Sequence, residues 1–237
     1  MATYDEKVLV IDSDFEIRLF LKQTLTSFGY QVTTTFNGYT ALANFKSENY
    51  DLVFIDVILE KLDGYSVCRE IRKISNVPIV ILTPSSNVSD RVMGFEAGAD
   101  DCVIKPFSKE ELEFRLRVIL DRSNGKRLKF SKRESKILKI QNLTIEIDNR
   151  SVFKNGLRIK LTDIEYSLLK LLVDHSDREI SRIMILENVW GYKPDRDVDT
   201  RIVDVNISRL RLKIEETPHE PTLIRTVRGF GYIFNRC

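Results

Sequence analysis

The sequence predicts a doubly wound α/β domain with a five-stranded parallel sheet, followed by an α+β domain of a different kind. In the first half, five apolar, β-prone runs alternate with amphipathic stretches of helical spacing. In the second half, strand-like segments flank a hairpin turn and three helical segments. Residues 1–122 carry 14 Lys and Arg against 19 Asp and Glu, whereas residues 123–237 carry 23 against 16. The net charges of −5 and +7 indicate separate roles and make the basic half a candidate for nucleic-acid binding.

The first half is built from strand–helix units. Its predicted strands are continuously apolar, which is typical of a parallel sheet covered by helices on both faces, and five such units predict a flavodoxin-like topology. Two capping-box patterns, Ser13-x-x-Glu16 and Ser108-x-x-Glu111, predict the starts of the first and last helices. The predicted strands are Val8–Ile11, Val32–Thr35, Leu52–Ile55, Ile79–Leu82 and Val103–Ile104, and the predicted helices span about 14–28, 38–47, 64–73, 87–97 and 108–121.

A basic stretch at residues 123–139 separates the two halves and predicts an exposed linker. Seven of its 17 residues are Lys or Arg and one is Glu, and it opens with Ser, Asn and Gly. A solvated loop without a role in DNA binding is the simpler interpretation, and a contact with a DNA phosphate is the alternative. The predicted domains are therefore residues 1–122 and residues 140–237.

The second half combines strands, helices and turns. Asn155-Gly156 is a strong hairpin signal between strand-like residues, and a glycine-containing turn near the C-terminus predicts another hairpin. Three helices are predicted from capping residues and apolar periodicity. The predicted strands are Leu143–Ile147, Ser151–Lys154, Leu157–Leu161, Thr222–Val227 and Tyr232–Phe234, and the helices run from Thr162-x-x-Glu165 to about His175, from Ser181 to near Trp190, and over about 200–216.

Composition argues against several classes of protein. No apolar run reaches the roughly 18 residues of a membrane span, and the short polar stretch Met1–Lys7 lacks the apolar core of a signal peptide. The widely spaced Cys68, Cys102 and Cys237 form neither a disulfide framework nor a zinc pattern. We therefore expect a non-secreted protein in a reducing compartment, without a membrane partner.

Polar side chains end four of the predicted strands in the first half. The first strand ends at Asp12 and Ser13, the third at Asp56, the fourth at Thr83 and the fifth at Lys105. Ligands of doubly wound folds bind at the carboxyl ends of the strands, so we expect these groups to converge. The set suits phosphoryl transfer to a carboxylate, with Asp56 as nucleophile and with Lys105 and Thr83 holding phosphate oxygens. Mg²⁺ is the expected cofactor. Its expected site residues are Asp56 and Asp12, with Asp12 acting through water or from the second coordination sphere.

Three segments of the first half resemble the receiver domain of bacterial two-component systems, and the resemblance covers residues 7–121. The second half resembles the winged helix-turn-helix effector domain of the OmpR/PhoB family. The resemblance implies that Asp56 accepts a phosphoryl group from a histidine kinase. It also implies a cis peptide at Lys105–Pro106, the type of bond at which the cis form is least unfavourable. The three segments are Val8–Asp14, Asp51–Gly64 and Ala97–Phe107.

Four positions depart from the family pattern. Ser13 stands where the family has a second adjacent carboxylate, which predicts weaker Mg²⁺ binding. Ser13 is then expected to cap the first helix, while Asp14 either replaces the missing acid or lies in the first helical turn beside the macrodipole. Cys102 stands where the family has the aromatic residue that moves with Thr83, and it is either a small strand residue or a redox sensor. Glu60 and Pro84 replace a proline and a small residue, respectively.

Charged residues near the last two predicted helices of the first half resemble the face through which activated receivers of the family form a two-fold dimer. An ordinary charged surface is the alternative, because isolated surface ion pairs contribute little to stability. The expected reciprocal ion pairs of the homodimer join Arg91 with Glu111, Glu96 with Arg117, and Asp101 with Arg115.

The helix at about 200–216 has the character of a DNA-recognition helix, because it carries arginine and asparagine and follows a helix and a turn. Its segment Val198–Ile214 resembles the OmpR/PhoB recognition helix, which makes Arg209 the expected base contact. For each arginine of this helix, an ion pair with Asp204 or Glu215 is the alternative. Ile202, Val205 and Leu210 are expected to pack inward, Arg201, Ser208 and Arg211 to contact phosphates, and Asn206 to face solvent or DNA.

The C-terminal run from Thr226 to Tyr232 resembles the wing hairpin of the family. Arg228, on a tight glycine turn, is expected to enter a minor groove, where narrowing strengthens the negative potential. Thr226 and Tyr232 are expected to bond phosphate. The family also implies that the loop at 191–200 contacts RNA polymerase, whereas Trp190 is expected to lie in the core.

These expectations favour a sequence-specific transcriptional regulator that phosphorylation of Asp56 switches through receiver dimerisation. A regulator with a degenerate receiver, acting independently of phosphorylation, is the alternative that Ser13, Pro84 and Cys102 motivate. An enzyme that uses Asp56 for phosphotransfer is disfavoured, because the second half has a complete DNA-binding pattern. Tyr192–Leu210 and Asp63–Tyr65 resemble cyanobacterial regulators and their plastid-encoded relatives, which implies the plastid stroma or, in a bacterium, the cytoplasm.

Overall fold

A computed structural model describes residues 6–124, 137–192 and 200–236, with side chains described up to residue 119 in the first range. The chain divides into two compact units, Met1–Phe114 and Arg115–Cys237. Most of the predicted linker at 123–139 lies outside the described residues. Within the described ranges, no helix has the length and hydropathy of a membrane-spanning segment.

The described residues of the first unit contain a five-stranded parallel sheet, which confirms the predicted flavodoxin-like fold. The strands are β1 (Lys7–Ile11), β2 (Gln31–Thr35), β3 (Leu52–Asp56), β4 (Ile79–Thr83) and β5 (Asp101–Ile104). Their order is β2-β1-β3-β4-β5, so β1 and β3 are neighbours although two helices and a strand separate them in sequence. Both β3 and β4 are buried along their whole length, as expected for continuously apolar strands covered on two faces.

A helix follows each strand of this sheet. They are α1 (Phe15–Ser27), α2 (Gly38–Ser47), α3 (Gly64–Ile74), α4 (Val88–Glu96) and α5 (Lys109–Asn124). The start of α5 agrees with the prediction, because Ser108 Oγ accepts a hydrogen bond from the Glu111 backbone N–H at 3.1 Å.

The first helix begins differently from the prediction. Asp14 is the N-cap of α1, and its Oδ1 accepts hydrogen bonds from the backbone N–H groups of Glu16 (2.8 Å) and Ile17 (3.3 Å). The predicted capping role of Ser13 is therefore wrong. Its hydroxyl instead donates to the Ile58 carbonyl at 2.9 Å, which ties the loop after β1 to the loop after β3.

The described residues of the second unit form two antiparallel sheets and three helices, which confirms the predicted α+β winged-helix domain. The first sheet has the order β6 (Ile137–Ile140), β7 (Leu143–Glu146), β8 (Ser151–Lys154) and β9 (Leu157–Ile159), so β6 begins inside the segment predicted as linker. The second sheet places β12 (Gly231–Phe234) between β10 (Glu179–Ser181) and β11 (Ile224–Val227). The helices are α6 (Asp163–Asp174), α7 (Arg182–Trp190) and α8 (Arg201–Ile214).

Two further helix starts are confirmed in the second unit. Thr162 Oγ1 accepts from the Glu165 N–H at 3.3 Å, and Glu165 Oε2 accepts from the Thr162 N–H at 2.8 Å, which completes the predicted capping box of α6. Ser181 Oγ accepts from the Met184 N–H at 3.1 Å and caps α7. At the other end of α7, Trp190 is fully buried, so it belongs to the core as predicted.

Candidate functional site

Two carboxylates and a lysine meet at the carboxyl edge of the parallel sheet, as the sequence predicts. Asp12 follows β1, Asp56 ends the neighbouring β3, and Lys105 follows β5. Lys105 Nζ lies 2.7 Å from Asp12 Oδ2 and 2.9 Å from Asp56 Oδ1. Both carboxylates are buried, so water screens their charges weakly and the ammonium group supplies the nearby compensation.

Asp56 is a buried carboxylate paired with a lysine. Its Oδ1 lies 2.9 Å from Lys105 Nζ and has no other hydrogen-bond partner among the described residues. Burial raises the pKa of Asp56 above its ordinary value; Lys105 opposes the rise, and the charge of Asp12 adds to it. A buried carboxylate that has a raised pKa and lies beside a lysine at a strand end is more typical of a reactive group than of a structural one.

Replacing Asp56 by asparagine should raise the stability of the protein at neutral pH. A carboxyl whose folded-state pKa is raised disfavours folding when it is ionised, and this penalty disappears as the pH falls through that pKa. The melting temperature of Asp56→Asn should therefore exceed that of wild type near pH 7, and the excess should shrink toward about pH 4.

Asp63→Asn is the matched control for that measurement. Asp63 caps α3, and its hydrogen bonds from Ser66 hold the pKa of the carboxyl below its usual range against the effect of burial. This variant should be less stable than wild type near neutral pH, and its deficit should close as the pH falls. An Asp56→Asn excess that stays constant or grows at low pH would contradict the assignment of a raised pKa to Asp56.

Thr83 and Ser13 occupy the same edge but differ in accessibility. Thr83 ends β4 and is buried, and its Oγ1 accepts a hydrogen bond from the Ser85 N–H at 3.2 Å. Ser13 is exposed, and its hydroxyl is directed to the Ile58 carbonyl. The Asp14 carboxylate caps α1 with one of its oxygens. Ser13 therefore does not reproduce the missing acid, and the contacts of Asp14 support its predicted position beside the helix N-terminus.

The pocket fits Mg²⁺ with a reduced set of protein ligands. Mg²⁺ commonly uses one or two carboxylates together with water and phosphate oxygens. Asp12 and Asp56 supply two buried carboxylates on either side of the Lys105 ammonium group. In the described ranges, no group of three His, Cys, Asp or Glu residues is arranged to hold a metal. Asp12 and Asp56 are thus the two carboxylates that this pocket offers to the ion.

A buried cysteine and a tyrosine lie on the β4–β5 side of the pocket. Cys102 is buried in β5, where it pairs in register with Ile81 of β4. The Tyr65 hydroxyl, at the start of α3, donates to the Asp90 carbonyl at 3.1 Å. Burial, followed by the charges of Asp90 and Cys102, raises the pKa of Tyr65 to about 12. Tyr65 therefore links α3 to α4 near Cys102, a placement that the sequence pattern did not indicate.

The Lys105–Pro106 bond is cis, as the resemblance implies.

The six charges expected at a dimer face differ in exposure. Asp101 is buried, and its Oδ1 accepts a hydrogen bond from the Cys102 N–H at 2.8 Å. Asp101 thus lies inside β5, and its pairing with Arg115 of a second receiver stays a prediction. The remaining five are exposed (Glu96 and Arg117) or partly exposed (Arg91, Glu111 and Arg115).

Helix α8 presents a narrower polar face than predicted. Arg201 and Ser208 are exposed, as expected. Asn206, however, is fully buried, and its Nδ2 donates to the Ile202 carbonyl at 2.8 Å. The prediction that Asn206 faces solvent or DNA is wrong, because residues 202, 206 and 210 recur every four positions and share the inward face. The spacing of Asn206 from Ile202 and Leu210 carries this signal in the sequence.

Two apolar side chains of α8 reach the surface and were not predicted as functional. Val205, expected in the core, is partly exposed, and Leu212 is 65% exposed. Arg201, Val205, Ser208 and Leu212 follow each other at spacings of four and three residues, so they form one stripe along the helix. Such a stripe suits a DNA groove, because apolar side chains contact thymine methyl groups there.

Arg209 and Arg211 fold back against their own domain. The Arg209 side chain is 17% exposed, and its Nη2 lies 3.4 Å from Glu165 Oε1. Arg211 Nε and Nη2 both donate to the Ile224 carbonyl (3.0 and 2.7 Å), and Nη2 also donates to Oγ1 of the exposed Thr226 at 2.9 Å. Both arginines are therefore only partly exposed, because acceptors of α6 and β11 lie within their reach, and their contacts with DNA stay predictions.

Tyr232 is buried and already bonded. Its hydroxyl donates to Asp204 Oδ1 at 2.6 Å, and Arg182 Nε donates to the same oxygen at 2.7 Å. Burial, followed by the hydrogen bond to Asp204, raises the pKa of Tyr232 to about 12. The predicted phosphate contact is wrong for this arrangement, because the hydroxyl proton is committed to a carboxylate of α8. Tyr232 instead fixes the wing strand against the recognition helix.

The wing turn presents Arg228 at its tip, as predicted. Arg228 is exposed, and the following Gly229 has a φ of 73°, which favours glycine. A Cβ on Gly231 would lie 1.9 Å from the Ile180 carbonyl oxygen, so only glycine lets the wing approach β10 this closely. Most of the loop at 191–200, expected to contact RNA polymerase, lies outside the described residues.

Comparisons with known families and proteins agree with both halves of the chain. Residues 8–117 match the family described as "Response regulator receiver domain", and residues 156–234 match "Transcriptional regulatory protein, C terminal". The chain is 49% identical over 234 residues to a "Probable transcriptional regulator ycf27" of Cyanophora paradoxa, covering 99% of this chain and 98% of that protein. It is 37% identical over 232 residues to the "DNA-binding response regulator MtrA" of Mycobacterium bovis, covering 98% of each.

Solved structures show the same likeness. The response regulator DrrB, a Thermotoga maritima OmpR/PhoB homolog, is 31% identical with a TM-score of 0.51, and the match covers 98% of this chain and 100% of that one. A RitR mutant is 26% identical with a TM-score of 0.72, again over 98% of this chain and 100% of that one.

Proposed function

The chain belongs to the OmpR/PhoB family of response regulators, and we propose that phosphorylation of Asp56 pairs two receivers and thereby raises the affinity of the winged-helix domains for specific DNA. The observation that carries the proposal is the cluster of Asp12, Asp56 and Lys105 in the same chain as a winged-helix domain. Phosphorylation is a switch in this account, and turnover of a substrate is not the principal role of the chain.

Asp56 is the proposed nucleophile. One of its carboxylate oxygens forms a bond to phosphorus, while the bond between phosphorus and an imidazole nitrogen of a histidine kinase breaks. Lys105, 2.9 Å from Asp56, offsets the negative charge that the phosphoryl group brings into the buried pocket. The Thr83 hydroxyl, at the end of the adjacent strand, donates to a phosphoryl oxygen. Asp12 keeps Lys105 in place through its 2.7 Å contact.

Asp12 and Asp56 are the residues that would hold Mg²⁺. When bound, the ion supplies further neutralisation of charge on the phosphoryl oxygens. With Ser13 in place of the usual acid, the protein offers fewer carboxylates, and we propose that Mg²⁺ binds weakly until the phosphoryl donor adds its own oxygens.

The dimer face is proposed to comprise five charged residues of which two are exposed and three are partly exposed. They are Arg91, Glu96, Glu111, Arg115 and Arg117. An isologous contact contains each ion pair twice, so the small stabilisation by each pair counts twice in the dimer. Asp101 supports the face from inside β5.

DNA recognition is proposed to use α8 in the major groove and the wing in a minor groove. Arg201 and Ser208, on the exposed stripe of α8, contact phosphates or bases. Val205, on the same stripe, packs against the bases. Arg228 enters the minor groove from the wing tip, and Thr226 lies beside it on the exposed side of β11. Arg209 contacts a base after it leaves its intramolecular partner.

The remaining partners follow from the family and from the named relatives. We propose that a histidine kinase donates the phosphoryl group, that RNA polymerase is contacted through the 191–200 loop, and that the protein acts in the plastid stroma of an alga or in the cytoplasm of a bacterium.

Dimer formation is the first test of the switch. Wild type treated with Mg²⁺ and a small phosphodonor should sediment as a dimer, and untreated wild type and treated Asp56→Asn should sediment as monomers. Arg115→Ala should weaken the dimer, because each interface loses the same cation twice. A treated wild type that accepts phosphate and stays monomeric would remove dimerisation from the proposal.

A further inference from the structure

Glu165 has contacts beyond its capping role. It is fully buried at the third position of α6, where Oε2 accepts from the Thr162 N–H at 2.8 Å. The same oxygen accepts from Lys213 Nζ at 2.5 Å. Oε1 has no hydrogen-bond partner among the described residues, and Arg209 Nη2 lies 3.4 Å from it. One buried carboxylate thus draws two cations of α8, one turn apart, toward the start of α6.

Arg209 is turned inward by this carboxylate. Its Nη1 donates to Asn206 Oδ1 at 3.3 Å, and Asn206 is itself buried and bonded to the Ile202 carbonyl. Only 17% of the Arg209 side chain is exposed, although Ser208, its neighbour in sequence, is exposed. A guanidinium group held in this way is not extended toward a base edge, where recognition of guanine uses two parallel N–H donors.

We propose that Glu165 is an internal competitor of DNA for the Arg209 guanidinium, and that it thereby sets the affinity and the sequence specificity of the winged-helix domain. The inference rests on the proposed function, in which α8 reads DNA. Binding to a base exchanges the Glu165 carboxylate for acceptors on the base. Glu165 keeps Lys213 and the Thr162 N–H after the exchange, so the release of Arg209 does not strand a buried charge without a partner.

The exchange acts more strongly on specific than on non-specific binding. Non-specific affinity comes mainly from phosphate contacts, which the exposed Arg228 offers from the wing tip. Base readout by Arg209, in contrast, requires the contact with Glu165 to break. Glu165 is therefore a positioning residue, and weakening its hold should raise the ratio of specific to non-specific affinity.

Glu165→Gln is the variant that isolates this effect. Glutamine is accepted at the third position of a capping box, so the start of α6 is preserved while the charge that holds Arg209 is removed. Asp163→Asn is the matched control, because it removes one negative charge two residues away, at the first position of α6. Glu165→Asp is a second variant, which keeps the charge and shortens the side chain by one methylene group.

The experiment uses the full chain and a DNA duplex that wild type selects from a random-sequence library, with a scrambled duplex for non-specific binding. Glu165→Gln should bind the selected duplex about 3 to 10 times more tightly than wild type, the range expected when a partly buried ion pair is removed as a competitor. Glu165→Gln should gain less affinity for the scrambled duplex than for the selected one. Asp163→Asn should not show the gain in affinity for the selected duplex. In an Arg209→Ala background, Glu165→Gln should change neither affinity.

Equal or weaker binding of the selected duplex by Glu165→Gln would overturn the proposal, as would the same gain in the Arg209→Ala background. If Glu165→Gln unfolds at the assay temperature, Glu165→Asp decides the question with the same expected direction. A wild type that selects no duplex from the library would overturn the proposed function itself, which keeps the two failures distinguishable.

Discussion

Lys105→Ala should slow the phosphorylation of Asp56 by about 100- to 1000-fold, the loss usually seen when one preorganised charge-stabilising donor is removed from an active site. Lys105 Nζ lies within 3 Å of both buried carboxylates, and no other described side chain makes the equivalent pair of contacts. Without the Lys105 ammonium group, no cation at this position offsets the negative charge that the phosphoryl group brings next to Asp12 and Asp56.

The rate is measured as the appearance of the one-phosphate mass of the intact protein after addition of Mg²⁺ and a small phosphodonor. Lys22→Ala is the control, because Lys22 is exposed on α1. A thermal melt should accompany the assay, since loss of the cation from two buried carboxylates also lowers stability. A rate within threefold of wild type in folded Lys105→Ala would remove Lys105 from the mechanism.

Glu215→Ala should destabilise the winged-helix domain by about 3 kcal/mol or more, because it strands several buried donors that each cost about 1–3 kcal/mol. Glu215 follows α8 and is buried. Its carboxylate accepts from the backbone N–H groups of Thr222 (3.0 Å), Leu223 (3.1 Å) and Ile224 (2.8 Å). These bonds fix the turn between α8 and β11, and hence the wing relative to the recognition helix.

Trp190, the single tryptophan of the chain, is buried in the second unit, so its fluorescence during urea unfolding reports on this domain. Glu216→Ala is the control: Glu216 is 65% exposed, and its loss should change stability by less than about 1 kcal/mol. Similar midpoints for Glu215→Ala and Glu216→Ala would show that the three backbone contacts contribute little.

The receiver fold and the residues of its pocket could be predicted from the sequence. Five apolar runs define the strands, and the order of a doubly wound sheet brings residues that end different strands to one edge. Asp12, Asp56, Thr83 and Lys105 were therefore predictable as a group. What the pattern did not indicate is the local choice between Ser13 and Asp14 as helix cap, because both have suitable side chains and one residue separates them.

In the DNA-binding half, the secondary structure was predictable but the contacts of several functional side chains were not. Its helices and wing were predictable from capping residues and glycine turns. Four residues expected to contact DNA are nevertheless engaged inside the domain, namely Asn206, Arg209, Arg211 and Tyr232. Arg209 and Tyr232 contact the acids Glu165 and Asp204, which lie 44 and 28 residues away in sequence. Long-range acceptors of this kind leave no periodic signal, whereas the burial of Asn206 follows from helical spacing and was predictable.

The most direct test of the account measures phosphorylation and DNA affinity on the same samples. Wild type and Asp56→Asn are incubated with Mg²⁺ and a small phosphodonor, their intact masses are recorded, and their affinities for the selected duplex are compared with those of untreated protein at one salt concentration. The account predicts a one-phosphate gain in wild type alone, accompanied by tighter DNA binding. Strong DNA binding by wild type without any gain in mass, unchanged by the phosphodonor and equal to that of Asp56→Asn, would contradict it and favour a receiver that acts independently of phosphorylation.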